Sequence, residues 1–184
     1  MPRRRIGLTA STYDRLPEDT CGAMEVVDGA IVPNPPPSRS HQRFTRRLAN
    51  ALDVGVGDRW VVATSVDLRL RDVPLLNRRP DVVVYDGALP HDDILRPRHC
   101  LLVVEIMSPG SVTTDQTDKP AEYASAGIPH FWRLESAPDD EERLTLFRYR
   151  LDPTTRTYAS AGVDAGKAVI SDPVDVTFDL ADLI

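Results

Sequence analysis

Lysine is nearly missing from this chain: Lys119 and Lys167 stand beside 20 arginines. Cysteine is as scarce. Cys21 and Cys100 are too few and too far apart for a disulfide framework or a zinc site, so each reads as a small buried hydrophobe. No apolar run approaches the roughly 18 residues a membrane helix needs, and the opening MPRRRIGLTA lacks an apolar stretch of the signal-peptide kind. A cytosolic protein with no membrane contact is the expectation. Basic charge is not in excess either, and a net charge of -6 argues against a generally basic nucleic-acid binder. That total hides an asymmetry, because residues 1–100 carry 15 arginines against 13 acids while residues 101–184 carry 7 basic residues against 15 acids. A long polyanion is therefore expected along surface from the first half. Repeats, dividing linkers and low-complexity segments are absent, and 184 residues that are 41% apolar suffice for one core, so residues 1–184 are read as a single domain.

Scarcity makes Lys119 informative. Arginine stays protonated in proteins, whereas a lysine beside carboxylates and a metal can orient water or exchange a proton. Lys119 follows Glu105 by 14 residues and Asp81 by 38. The plain alternative is a surface lysine on a helix.

Residues 1–23 read as an arm and a short helical entry, with the first ten flexible and Arg3, Arg4 and Arg5 exposed. Ala23 to Val32 predicts a β-hairpin around Asp28-Gly29, carrying Glu25. The proline-rich stretch Pro33 to Pro37 excludes helix and central strand, and Ser38 or Ser40 caps a helix from about His41 to Leu52. Strands are expected at Trp60–Ala63 with Asp67–Leu70, at Arg79–Tyr85 and at Cys100–Met107, the last two apolar enough to be buried on both faces. Thr114–Ala126 predicts a helix capped by Gly127, and His130–Leu134 returns as a strand. The run Asp139, Asp140, Glu141, Glu142 reads as a solvated turn. Arg143–Arg150 and Thr157–Ala159 suggest an antiparallel pair, and Val174–Phe178 a last strand. The order from residue 41 to 134 is that of an α/β core with β-rich flanks.

Asp81 opens the strand DVVVY and Glu105 lies near the end of LLVVEI. Burying either carboxylate unpaired would cost several kcal/mol, so a compensating cation is expected. Mg²⁺ or Mn²⁺ takes one or two carboxylates, often with a carbonyl such as that of Ile106, and keeps positions for water and phosphate oxygens. An ordinary strand-end carboxylate is the alternative at each position. Asp115, Lys119 and Tyr123 follow one another at i+4 on one helix face. Arg39, Arg43, Arg46 and Arg47 on the first helix, of which Arg39, Arg43 and either later one can share a face, are candidate phosphate contacts or a solvated arginine face. Arg78 and Arg79, close to Asp81, either hold a phosphate or pair with acids. Asp67 is a weaker candidate for the same cleft, and Trp60 and Trp132 read as core aromatics.

The segments Glu25-Val26-Val27-Asp28-Gly29, Pro80-Asp81-Val82-Val83-Val84 and Val103-Val104-Glu105-Ile106-Met107-Ser108-Pro109 resemble the Uma-two family. So do Asp115 followed by Asp118-Lys119, Tyr123, Ala126-Gly127-Ile128-Pro129 and Phe131-Trp132-Arg133-Leu134-Glu135. The similarity runs through nearly the whole chain with the motifs in order. It implies a restriction-endonuclease-like, PD-(D/E)xK fold of mixed α/β (α+β) type. An αβββαβ core would carry an N-terminal hairpin and a C-terminal β-rich extension. It also implies Mg²⁺- or Mn²⁺-dependent hydrolysis of phosphodiester bonds in nucleic acid, DNA foremost. On this resemblance Asp81 and Glu105 are the two acids, and Met107 stands where the familiar lysine would be. Lys119 supplies the amine from the next helix, and Glu25 joins the acidic site as a further ligand or a positioner of water. The expected catalytic set is thus Asp81, Glu105, Lys119 and Glu25, with Asp81, Glu105 and the Ile106 carbonyl toward the metal. His41, Gln42, Arg78, Arg79 and Arg43 are expected toward substrate, with local capping or packing at the helix start the favoured alternative for His41. Pro120, where the family carries an aliphatic residue, suggests a helix beginning nearer Lys119. A homodimer suits an enzyme that cuts both strands. A non-catalytic binding or assembly protein on the same fold, and a hydrolase of small phosphodiesters, are the rival readings.

Overall fold

The computed structural model describes residues 7–107 and 114–184. Two short helices, α1 (Ala10–Tyr13) and α2 (Glu18–Gly22), lead into the hairpin of β1 (Met24–Val27) and β2 (Ala30–Pro33). Its turn is the expected Asp28-Gly29, with φ of 52° and 81°, the left-handed pair that matches the twist of a two-residue hairpin. The prolines then carry the chain to α3 (Arg39–Gly55), whose first turn is held by the Ser38 hydroxyl accepting from the His41 amide at 3.2 Å. The helix is longer than the periodicity alone suggested, and Phe44, Leu48 and Leu52 bury its apolar stripe.

Next come β3 (Trp60–Thr64), β4 (Leu68–Arg71), β5 (Leu76–Arg78), β6 (Val82–Asp86) and β7 (Cys100–Met107). After α4 (Thr114–Ala126) follow β8 (His130–Ala137), β9 (Asp140–Asp152), β10 (Thr157–Asp164), β11 (Lys167–Ile170) and β12 (Val176–Asp179). The main sheet has six strands in the order β10-β9-β8-β7-β6-β3; β2-β1-β5-β4 form a second sheet and β11-β12 a third. Only β7 and β8 run parallel among the paired strands, joined by the crossover through α4. This is the mixed α/β architecture expected, with two departures. Asp67–Leu70 does not pair with Trp60–Ala63 but turns into the second sheet, and β5 and β11 join the pattern as added strands.

Strand alternation decides what reaches the site. On β6 and β7, Val82, Val84, Leu102, Val104 and Ile106 face α3, whereas Val83 and Val103 face Tyr123 of α4. Glu105 therefore lies on the α4 side of β7. Val82 pairs with Val104, so one step further Asp81 comes alongside Glu105. The crossover helix ends as foreseen: Gly127 at φ 86° gives its amide to Ala124 and the Ile128 amide reaches Tyr123, a Schellman closure. It does not begin at Lys119. Pro120 lies inside it, past the first turn, and brings no amide hydrogen to the turn before it.

Cys21 and Cys100 are free and buried, and Trp132 is a core residue, all as expected. At the foot of α3, Gly55 meets the loop before β12: a Cβ there would stand 2.5 Å from the Asp175 carbonyl oxygen. Gly55→Ala is expected to cost about 1–3 kcal/mol, a fall of several degrees in Tm by thermal melting, with the distant carboxylates undisturbed. An unchanged Tm would show that the α3–β12 contact gives way freely. No helix among the described residues is long and apolar enough to cross a membrane.

Candidate active site

Three elements bring carboxylates to one place. Glu25 comes from the hairpin strand β1, Asp81 from the entry to β6 and Glu105 from β7, while α4 lays Lys119 and Tyr123 over them. Lys119 is 8% exposed, Glu25 6% and Glu105 4%. The Lys119 ammonium lies 3.3 Å from Glu25 Oε1 and 3.4 Å from Glu105 Oε2. Tyr123 donates its hydroxyl to Glu105 Oε1 at 2.6 Å. Asp81 is held from two sides, its Oδ2 accepting from the Ile106 amide at 2.7 Å and its Oδ1 lying 3.2 Å from His41 Nε2. Asp81, Glu105, Ile106, Lys119 and His41 border a cavity of about 400 Å³ together with Ser65 and Arg79, with Glu25 and Tyr123 behind its wall.

Arginines brace the acids from behind. Arg78 gives one nitrogen to Glu25 at 2.8 Å and two to Glu122 at 2.7 and 2.8 Å. Of the two roles weighed for Arg78, the structure shows pairing with acids, and its burial keeps it from a phosphate in the cavity. Arg79 donates its backbone amide to Glu25 at 3.0 Å and its guanidinium to Asp67 at 2.8 Å, yet remains at the cavity wall. Asp67 also accepts from Tyr13 at 2.6 Å, which makes it a support behind the cleft and not part of its lining.

Other expected residues fall elsewhere. Arg43 leaves the cavity and lies over the Phe44 ring at 5.6 Å. Gln42 is exposed, hydrogen-bonded to the Pro37 carbonyl, and borders an adjoining groove. His41, for which local capping was the plain alternative, instead reaches Asp81. The Asp115 side chain, Ser108-Pro109 and Arg3 to Arg5 lie outside the described residues. Two participants had little signal in the sequence. Tyr123 stood out as i+4 from Lys119 and within the family resemblance but with no role attached, and Glu122 had nothing to mark it as the partner of Arg78. Ser65 had none at all; it takes a left-handed φ of 53° and gives its amide to the Asp81 carbonyl.

Charge is out of balance here. Four carboxylates, Glu25, Asp81, Glu105 and Glu122, are set against the Arg78 guanidinium and the Lys119 amine. Burial drives the Glu105 carboxyl up to about 7; Asp81 and Glu25 push the same way, while Lys119 and the Tyr123 hydrogen bond hold it back. For His41 burial opposes the charged ring, but the Asp81 carboxylate outweighs it and the imidazole is raised above its ordinary value. The pocket thus favours added positive charge. Among the described residues no three His, Cys, Asp or Glu side chains converge to hold an ion unaided. The oxygen-rich set of two carboxylates beside a main-chain carbonyl suits a hard cation that keeps part of its water, as Mg²⁺ does. The residues fit such an ion.

The chain matches the family model described as "Uma2: Putative restriction endonuclease" over residues 10–181. It belongs to the Uma2 family. A crystal structure described as a putative nuclease belonging to DUF820, from Anabaena variabilis ATCC 29413, is similar with a TM-score of 0.68. The match covers 96% of this chain and 97% of that one at 19% identity, which speaks for the fold alone. No curated protein matches. Membership in Uma2 identifies the chain as a nuclease-family member on a nuclease-like fold.

Proposed function

We propose that this Uma2 protein is a Mg²⁺- or Mn²⁺-dependent endonuclease that hydrolyses phosphodiester bonds of nucleic acid, with DNA as its substrate. The observation that carries the reading is the buried Lys119 ammonium between Glu25 and Glu105, with Asp81 alongside, at the wall of an open cavity. Asp81, Glu105 and the Ile106 carbonyl would hold the ion. When bound, it lowers the pKa of a water and neutralises charge on the phosphate oxygens. Lys119 directs a compact cation at the attacking water or the crowded phosphate. Glu25 sets the position of that ammonium and accepts hydrogen bonds from water. His41 and the Ile106 amide fix the Asp81 carboxylate so that it needs little reorganisation on binding. A second copy working on the opposite strand belongs to the same reading if the substrate is duplex.

Calorimetric titration with Mn²⁺ tests this, followed by plasmid nicking. One ion is expected to bind, with binding and nicking both lost in Asp81→Ala. Affinity should rise as pH climbs through about 7, because the Glu105 carboxyl must give up its proton to serve as a ligand. In that window the measured heat should depend on the buffer's ionisation enthalpy, since the proton passes to the buffer. A flat pH response would remove Glu105 from the ligand set. Absence of any Mn²⁺ binding would favour a binding protein that has kept the fold.

A further inference from the structure

The cavity over the carboxylates is not closed on all sides. It shares Pro37, His41 and Ser65 with a groove of about 470 Å³ between α3 and β3, the edge strand of the main sheet. We propose that one strand of the nucleic-acid substrate leaves the reacting phosphate through this groove, with Arg46 on a phosphate and Gln42 and Asn50 on the sugar-phosphate backbone. The proposal rests on the nuclease reading and adds the path of the substrate.

Helical spacing puts these groups in one row. Gln42, Arg46 and Asn50 follow at i+4 along α3, all three exposed and all bordering the groove. Arg46 is five residues from His41, about 7.5 Å along the helix axis. A strand leaving the reacting phosphate would bring a phosphate about one or two nucleotides away to Arg46. The opposite wall carries Thr64 and Ser65, which offer hydroxyls without added negative charge; the groove's one carboxylate, Asp53, stands on α3 beyond Asn50, at the end away from His41.

Position and commitment together single out Arg46: Arg39 is exposed at the start of α3 but borders neither cavity. Arg47 donates to the carbonyls of Asp182 and Ile184, Arg43 lies over Phe44, and Arg78 and Arg79 are spent on Glu25, Glu122 and Asp67. Arg46 has no carboxylate partner among the described residues. A cation left unpaired in a polar groove is placed to meet a phosphate.

Electrostatics also sets the direction. Glu141 borders the carboxylate cavity, and with Asp139, Asp140 and Glu142 it forms an exposed anionic rim at the β8–β9 connection. A polyanion is repelled there and admitted on the α3 side. Ser65 stands where the two cavities join, its left-handed backbone tied to the Asp81 carbonyl by its amide. An uncommon conformation held at the junction of a reacting centre and a groove fits a contact residue.

The test is fluorescence anisotropy of labelled single-stranded and duplex oligonucleotides, in a Glu105→Gln background so that nothing is cut. Arg46→Glu is expected to weaken binding roughly ten-fold at low salt for whichever form binds, and to flatten the slope of log K against log salt by about 1. Arg150→Glu makes the same charge reversal on exposed β9, outside the groove, and should shift binding less than about two-fold. Equal weakening by both variants would overturn the groove as the path while wild-type plasmid nicking leaves the nuclease reading standing. No binding by the parent together with no nicking by the wild type would remove both.

Discussion

Glutamine at Glu105 is expected to cut metal-dependent hydrolysis by roughly a thousand-fold or more and, at the same pH, to make the fold more stable. The two effects share one cause. The carboxylate is buried at 4% exposure, where on the proposed mechanism an ion would use it, and without an ion its charge is a burden. Its folded pKa of about 7 stands above the ordinary 4.5, a net shift that already includes the attraction of Lys119 and the Tyr123 hydrogen bond. Below the lower value both folded and unfolded chains keep the proton, and the group costs folding nothing. As pH rises between the two values the unfolded chain ionises first and stability falls, and above about 7 the penalty is complete. Its size is a few kcal/mol, on the order of 3. Glutamine keeps the acceptor for Tyr123 and removes the charge. In the metal-free protein the variant should therefore melt about 5–10 °C above wild type near pH 8 and converge with it toward about pH 4.5. Thermal melts in chelator across that range, with plasmid nicking in Mg²⁺ beside them, check both halves. A variant that is less stable at alkaline pH would mean Lys119 depends on the Glu105 charge more than the burial of that charge costs.

The same trade explains which parts of the molecule were legible in the sequence. The runs LLVVEI and VVVY and the helix from Thr114 to Gly127 announced themselves because apolar periodicity and a left-handed cap act locally. The helix from Ser38 was found for the same reason, though its last turn beyond Leu52 is set by packing on β12, which no local pattern encodes. Strand β5 was missed because two of its three residues, Asn77 and Arg78, are polar yet buried. They are affordable inside only because Arg69 and Tyr13 meet Asn77, and Glu25 and Glu122 meet Arg78, partners far away in the chain. Strand β4 was given the wrong neighbour for a related reason, since Leu68 fits either sheet until β5 is recognised.

For the site, the acids were visible as charges misplaced in apolar strands, and Lys119 as an exception to the use of arginine. The partner choices were not visible. Arg78 beside Asp81 looks the same in sequence whether it faces a phosphate or a carboxylate, and Glu122, 44 residues away, decides it. His41 read as a helix-start residue because its contact with Asp81 depends on how α3 docks on β6 and β7. Pro120 suggested a late helix start; the helix instead runs through it and brings Lys119 and Tyr123 to Glu105 together.

Methionine at Lys119 is expected to remove activity and, unlike glutamine at Glu105, to destabilise the protein. Lys119 counters Glu25 and Glu105 at 3.3 and 3.4 Å, and taking away one partner of a buried ion pair typically costs about 3–5 kcal/mol. Glu25 keeps Arg78 and the Arg79 amide, so most of the damage should fall on Glu105, which keeps only the Tyr123 hydroxyl among the contacts described here. Glu105 can escape by taking a proton. The loss of Tm should therefore be largest near pH 8, on the order of 10 °C, and much smaller near pH 5. It should also fall by more than half in the Glu105→Gln background, giving a coupling energy of about 2–3 kcal/mol in a double-mutant cycle. Lys119→Arg completes the argument, since it keeps the charge but replaces a compact ammonium with a planar fork. Recovered stability with nicking still lost would explain why this site holds lysine in a chain that elsewhere uses arginine at all but Lys167. Full activity in the arginine variant would reduce Lys119 to a counter-charge for its two acids.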